Sequence, residues 1–153
     1  MVRIKKRYLV IRFEFLNSKS KRTIDREDIF QAVKGTLKEL YGDYGVAAYG
    51  PHLNVKYTNP HTSIFFLQCL RDHYKQIRAC VTFVKVMQKE LCVLTCLKVA
   101  ATIKLAERFL LAYNIKAMNV LYKRCKTPME KNNLLKLMKE FDVPVEGEVG
   151  EGT

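Results

Sequence analysis

Five cysteines and three histidines are the side chains here best suited to metal or acid–base chemistry, and their spacing argues against both. Cys69, Cys80, Cys92, Cys96 and Cys125 contain no Cys-x-x-Cys pair. Cys92 and Cys96 fall on the same face of a strand but about 13 Å apart, too far to share a tetrahedral ion. All five lie in apolar segments and read as reduced, buried thiols of a cytosolic or nuclear protein. His52, His61 and His73 fall in a strand, a turn and a helix start without metal-ligand spacing, so each reads as solvated or capping. There is no Gly-x-Ser-x-Gly, phosphate loop or dinucleotide fingerprint, and the glycines from 42 to 50 fit none of them. The expectation is a chain with no active site, no metal and no cofactor of its own.

The cations carry the stronger signal. Through Lys139 the chain holds 27 basic against 10 acidic residues, a charge of +17, and the remainder carries −5 with no base. A field of that size on a small protein concentrates phosphate near its surface and releases counterions on contact, which favours a polyanion such as nucleic acid. The opening MVRIKKRYLVIRF sets Arg3, Lys5, Lys6 and Arg7 directly against an apolar run. A secretory signal would need about 7 to 15 apolar residues and a small-residue cleavage site. The run from Tyr8 ends at Arg12, so the segment reads as a strand with a charged start. No apolar run approaches the roughly 18 residues of a membrane span, and no membrane partner is expected.

The elements that must position these cations follow from periodicity. In RYLVIRFEFL, Leu9, Ile11, Phe13 and Phe15 alternate with Tyr8, Val10, Arg12 and Glu14 as in a strand. Past the loop NSKSKR, Asp25 can cap a helix whose Ile29, Val33, Leu37 and Tyr41 share a face and which Gly42 ends. The run GDYGVAAYGP requires positive φ or close backbone approach, with a bulge expected at Gly50-Pro51. Strands around Val55 and Phe65 flank the turn NPHT. Asp72 can cap a second helix in which Tyr74, Ile77, Val81 and Val84 are apolar, while Lys75, Arg78, Lys85 and Lys89 stay polar. LCVLTCLKV is a buried strand.

The order βαββαβ predicts an α+β, ferredoxin-like four-stranded antiparallel sheet with additional C-terminal helices. Three further helical segments run from near Thr102, through Met118 to Tyr122, and from Met129 to Phe141. One domain over 1–141 and a disordered acidic tail over 142–153 are expected. Both strand faces are apolar, so the added helices or a partner should cover the second one. The fold can host acylphosphatase-type catalysis, but NSKSKR lacks the glycines of its phosphate cradle. The third-strand signature of an RNA recognition motif is also missing, which directs binding to strand starts, loops and helix N-termini rather than to an open sheet.

MVRxKxRY at 1–8, GDYGVA at 42–47, VKYTNPHT at 55–62, RDHYKQI at 71–77 and LKVAATIKLAERFL at 97–110 resemble, in order, the processing-of-precursor subunit five family. These are small protein subunits of archaeal and eukaryotic ribonuclease P, shared in eukaryotes with ribonuclease MRP. The resemblance spans roughly residues 1–126. It implies a ferredoxin-like core and a nuclear and nucleolar ribonucleoprotein whose RNA, with bound Mg²⁺, removes the 5′ leader of precursor tRNA. It further implies a partner, the roughly thirty-kilodalton barrel-fold subunit of the same particle. The family usually has Gly-Thr-Ile where this chain has Ala101-Thr102-Ile103, which adds a methyl group where RNA could approach.

Together, charge and resemblance select Arg3, Lys5, Lys6, Arg7, Lys56, Thr102, Lys104 and Arg108 as RNA-facing. The contrasting reading is a basic protein-interaction adaptor that touches no RNA and whose charge serves solubility.

Overall fold

A computed structural model describes residues 3–16, 24–59 and 62–140, with side chains to 136. The loop NSKSKR, His61, Phe141 and the tail at 142–153 lie outside the described residues. The first strand, β1 (Lys6–Phe15), is followed by helix α1 (Arg26–Tyr49) and by strands β2 (Asn54–Asn59) and β3 (Ile64–Leu70). Helix α2 (Tyr74–Phe83), strands β4 (Val86–Met87) and β5 (Glu90–Ala100), and helices α3 (Ile103–Arg124) and α4 (Pro128–Glu140) complete the order. All pairings are antiparallel, in the order β2-β3-β1-β5-β4. The chain packs as two compact units, one ending at Ala106 and the other beginning at Glu107.

The position of β1 between β3 and β5 explains why its alternation is imperfect. Leu9, Ile11 and Phe13 enter the main core, yet Val10 on the opposite face is also fully buried. β3 is buried at every position from Ile64 to Cys69 for the same reason. On one face, Leu9, Ile11, Phe65 and Leu67 meet Ile29, Val33 and Leu37 of α1 and Ile77, Cys80 and Val81 of α2. Each such side chain contributes about 1.5–3 kcal/mol when removed from water, so this layer dominates the stability of the first unit. On the other face Val10, Ile64 and Phe66 are at most 1% exposed, which leaves the middle of the sheet with no open platform for bases.

Three regions of the chain depart from the sequence expectation. Gly42, at φ 65°, breaks α1 as anticipated, but the helix resumes to Tyr49 instead of giving way to extended chain. The alanines in GVAAY favour helix, and Gly45 lets the resumed turn close, because a Cβ there would collide with the Cβ of Tyr41. Gly50–His52 forms a short 3₁₀ turn, and the bulge lies instead in β2, between Val55 and Tyr57. Gly42→Ala forces an L side chain into left-handed backbone and is expected to cost about 1 kcal/mol, read as a lower denaturant midpoint with an unchanged slope.

The second correction concerns strand number, which is five rather than four. α2 stops at Phe83, and Val84 to Leu91 fold back as a hairpin. Gln88 and Lys89 both take positive φ at its tip, as a two-residue turn demands, without the glycine or asparagine that usually marks one. The Gln88 amide donates a 2.6 Å hydrogen bond to the Asp28 carboxylate, which ties the hairpin to the start of α1. Third, the segments expected to be separate around Thr102 and Met118 are one continuous helix, α3.

Candidate nucleic-acid interface

Antiparallel pairing brings sequence-distant cations to one end of the sheet. Arg3 and Lys5 are exposed in the extended lead into β1, and Lys6 is exposed at its first position. Arg7 is half-buried, and its Nη1 donates to the Lys6 carbonyl at 3.0 Å. Lys6 and Arg7 lie opposite Leu70 and Cys69, and the Arg71 amide donates to the Lys5 carbonyl at 2.9 Å. Across β1, Tyr8 pairs with Ala100, so Thr102 and Lys104 follow within a few residues at the same end. The starts of α2 and α3 therefore lie where β1 begins, adding their unpaired N–H groups to the positive field.

Thr102 caps α3: its Oγ1 accepts the Leu105 amide at 3.3 Å, and its carbonyl accepts the Ala106 amide at 3.2 Å. Thr102→Ala is expected to destabilise by about 1 kcal/mol while Thr102→Asp retains the cap, as compared by thermal unfolding. Ala101 is exposed and has no positive φ, so its backbone does not require the glycine usual in the resembled family.

Two residues of the selected set stand apart. Lys56 is exposed at the bulge of the edge strand β2, two strands away from β1. Arg108 is exposed and falls in the second unit. Conversely, Arg71 and Lys98 are exposed at the cationic end although sequence reasoning passed over them. Arg71 opens the motif RDHYKQI, and its place at the cationic end follows from pairing the end of β3 with the start of β1.

Several carboxylates lie at the opposite end, while Asp72, exposed beside Arg71, lies at the cationic one. Glu14 lies near the close of β1, Glu90 opens β5, and Asp25 and Asp28 open α1 beside the β4–β5 hairpin. The ion pairs Arg12–Glu14 and Lys38–Asp43 use none of the selected cations.

The thiols and imidazoles form no reactive constellation among the described residues. All five cysteines are free. Burial pushes the Cys69 thiol up to about 12, Cys96 adding to the rise and Arg7 opposing it. Burial, aided by Glu39, also pushes Cys80 up to about 12. Both stay protonated near neutrality and are poor nucleophiles. The His73 ring packs on Tyr49 at 4.9 Å. No group of three or more His, Cys, Asp or Glu able to hold a metal ion occurs among the described residues. No described helix is long and apolar enough to cross a membrane.

Fold and surface together define a small α+β protein with a cationic sheet end and no metal-holding cluster among its described residues. The family model of the Rpp14/Pop5 family matches residues 7–111, and the chain belongs to that family, in agreement with the motif resemblance. It is 29% identical over 160 residues to the ribonuclease P/MRP protein subunit POP5 of Danio rerio, covering 100% of this chain and 95% of the relative. The human subunit of that name is 26% identical over 140 residues, covering 89% and 86% respectively. The Schizosaccharomyces pombe subunit is 27% identical over 116 residues, covering 70% and 84%. A chain from a cryo-EM structure of yeast ribonuclease MRP shares the fold with a TM-score of 0.55 at 11% identity, covering 93% of this chain and 95% of that one.

Proposed function

We propose that this protein is a non-catalytic subunit of ribonuclease P, which removes the 5′ leader from precursor tRNA, and of ribonuclease MRP, which processes ribosomal RNA. Its role is to bind and stabilise the catalytic RNA. The observation that carries this reading is the convergence of Arg3, Lys5, Lys6 and Arg7 with Arg71, Thr102 and Lys104 at one end of the sheet, away from the carboxylates of the other. Such a surface lies along a ribose-phosphate chain and fixes register without reading sequence. Relatives that carry the ribonuclease P/MRP subunit name over nearly the whole chain supply the particle.

With the two-residue β4 set aside, the order β2-β3-β1-β5 supports a ferredoxin-like kernel. The divalent ions of the reaction belong to the partner RNA as Mg²⁺, and the protein binds no cofactor. Its protein partner is the roughly thirty-kilodalton barrel-fold subunit, for which Leu91 and Val93, 57% and 52% exposed at the β5 margin, offer apolar area. The protein works in the nucleus and nucleolus.

Nuclease treatment of the complex purified from cells tests the central claim. RNA digestion is expected to dissolve the larger assembly and leave at most a protein pair; an adaptor would keep all its partners without RNA.

A further inference from the structure

Beside α2 runs a groove of about 400 Å³ lined by Tyr74, Lys75, Arg78, Ala79 and Thr82. Its wall carries two exposed cations and no carboxylate anywhere along α2. Arg78 acts on the Cys96 thiol of β5, partly offsetting the rise that burial imposes there, so its charge lies beside that strand. Lys75 and Arg78 are three residues apart and share one flank of α2, and Arg71 lies in the short 3₁₀ turn Arg71–His73 that leads into it. Arg71 is itself tied to the cationic sheet end through the Lys5 carbonyl. The groove is therefore continuous with that end and extends it along one side of the first unit.

We propose that this groove is a second RNA track that takes a single-stranded segment, with backbone phosphates on Lys75 and Arg78 and a base or ribose over Ala79. This proposal rests on the RNA-binding reading above and names an additional place where RNA is held. Three features select the occupant. The side chains within α2 are cationic without a carboxylate among them, the exposed Asp72 lying in the turn before the helix, and this balance suits a polyanion. The volume is that of a pocket for a small organic group, which fits a nucleotide-sized unit of one strand. Tyr74, half-buried against the core, places an aromatic group at the near end, of the kind that accompanies charge in proteins that hold single strands. Between Tyr74 and Thr82 the helix rises about 12 Å, so the track takes a short run of nucleotides.

Fluorescence anisotropy of a labelled twelve-nucleotide oligouridylate against the full chain, across a salt series, tests the proposal. Lys75→Gln with Arg78→Gln is expected to lower the slope of log affinity against log salt by about 1.4, at roughly 0.7 per charge on a single strand. Ala79→Trp fills the groove with both charges in place and is expected to lower the slope by a similar amount, whereas Lys75→Arg with Arg78→Lys restores it. If the groove variants keep the wild-type slope while neutralising Arg3, Lys5, Lys6 and Arg7 flattens it, the track is wrong and the RNA-binding reading stands. If neither set alters the slope, both fall. Loss of binding to a labelled Glu-rich peptide, with oligouridylate binding intact, makes the groove a protein site and overturns the proposal.

Discussion

Replacing Arg3, Lys5, Lys6 and Arg7 together by glutamine is expected to lower the dependence of RNA affinity on salt by roughly three units of slope. Each neutralised phosphate contributes about 0.7 to 0.9 to that slope, so four cations account for the change. Near physiological salt the same release of counterions corresponds to a loss of affinity on the order of a hundred- to a thousand-fold. Stability should move little, because Arg3, Lys5 and Lys6 are exposed and the hydrogen bond of the half-buried Arg7 guanidinium goes to the carbonyl of its chain neighbour Lys6. The control separates place from net charge. Arg26, Lys34, Lys85 and Lys89 are also exposed cations, and they stand on α1 and around the β4–β5 hairpin rather than at the start of β1. Neutralising those four removes the same total charge and is expected to cost far less. Equal losses from the two sets would mean that a diffuse positive field, and not the sheet end, attracts the RNA.

How much of this surface could be read in advance depended on the range of the interaction concerned. The N-terminal cations were legible because they are contiguous in sequence and abut a strand whose apolar alternation is clear. Thr102 was legible as a cap, since a hydroxyl before an apolar-periodic run satisfies amides of the first turn. Arg71 was not, because its value comes from the hydrogen bond of its amide to the Lys5 carbonyl, 66 residues away in sequence and visible only once β1 and β3 are paired. The β4–β5 hairpin was hidden for a different reason. Val84 continues the apolar spacing of α2, and the turn at Gln88 and Lys89 lacks the residues that favour positive φ. Its conformation is upheld from outside by the Gln88–Asp28 bond, a long-range contact that local propensity cannot foretell. The opposite case is Gly42, where a single residue type announced the break in α1 but not that the helix would resume beyond it.

Phe65→Ala is expected to produce the largest loss of stability, about 3–5 kcal/mol, against the 5–15 kcal/mol that typically separates folded from unfolded domains. Phe65 is 0% exposed and lies opposite Ile11 on one side and Thr58 on the other, with its ring 6.2 Å from that of Phe13. It stands in the layer between the sheet and the two helices α1 and α2, so its removal opens a cavity that strands paired on both flanks cannot close. In a chain of this length the thermal midpoint should fall by roughly 10–20 °C. Phe65→Leu keeps most of the volume and should cost under about 2 kcal/mol. The variant also separates scaffold from surface. The strand that holds Phe65 ends at Leu70, beside Lys6, and hands the chain to Arg71 at the cationic end. While Phe65→Ala remains folded at low temperature, the register of β1 and β3 is kept and its salt slope for RNA should equal that of the wild type, even though its affinity vanishes on modest warming. A slope that drops before the unfolding transition would show that the sheet end loosens ahead of the core, and that alignment of the cations depends on packing within this layer rather than on strand pairing alone.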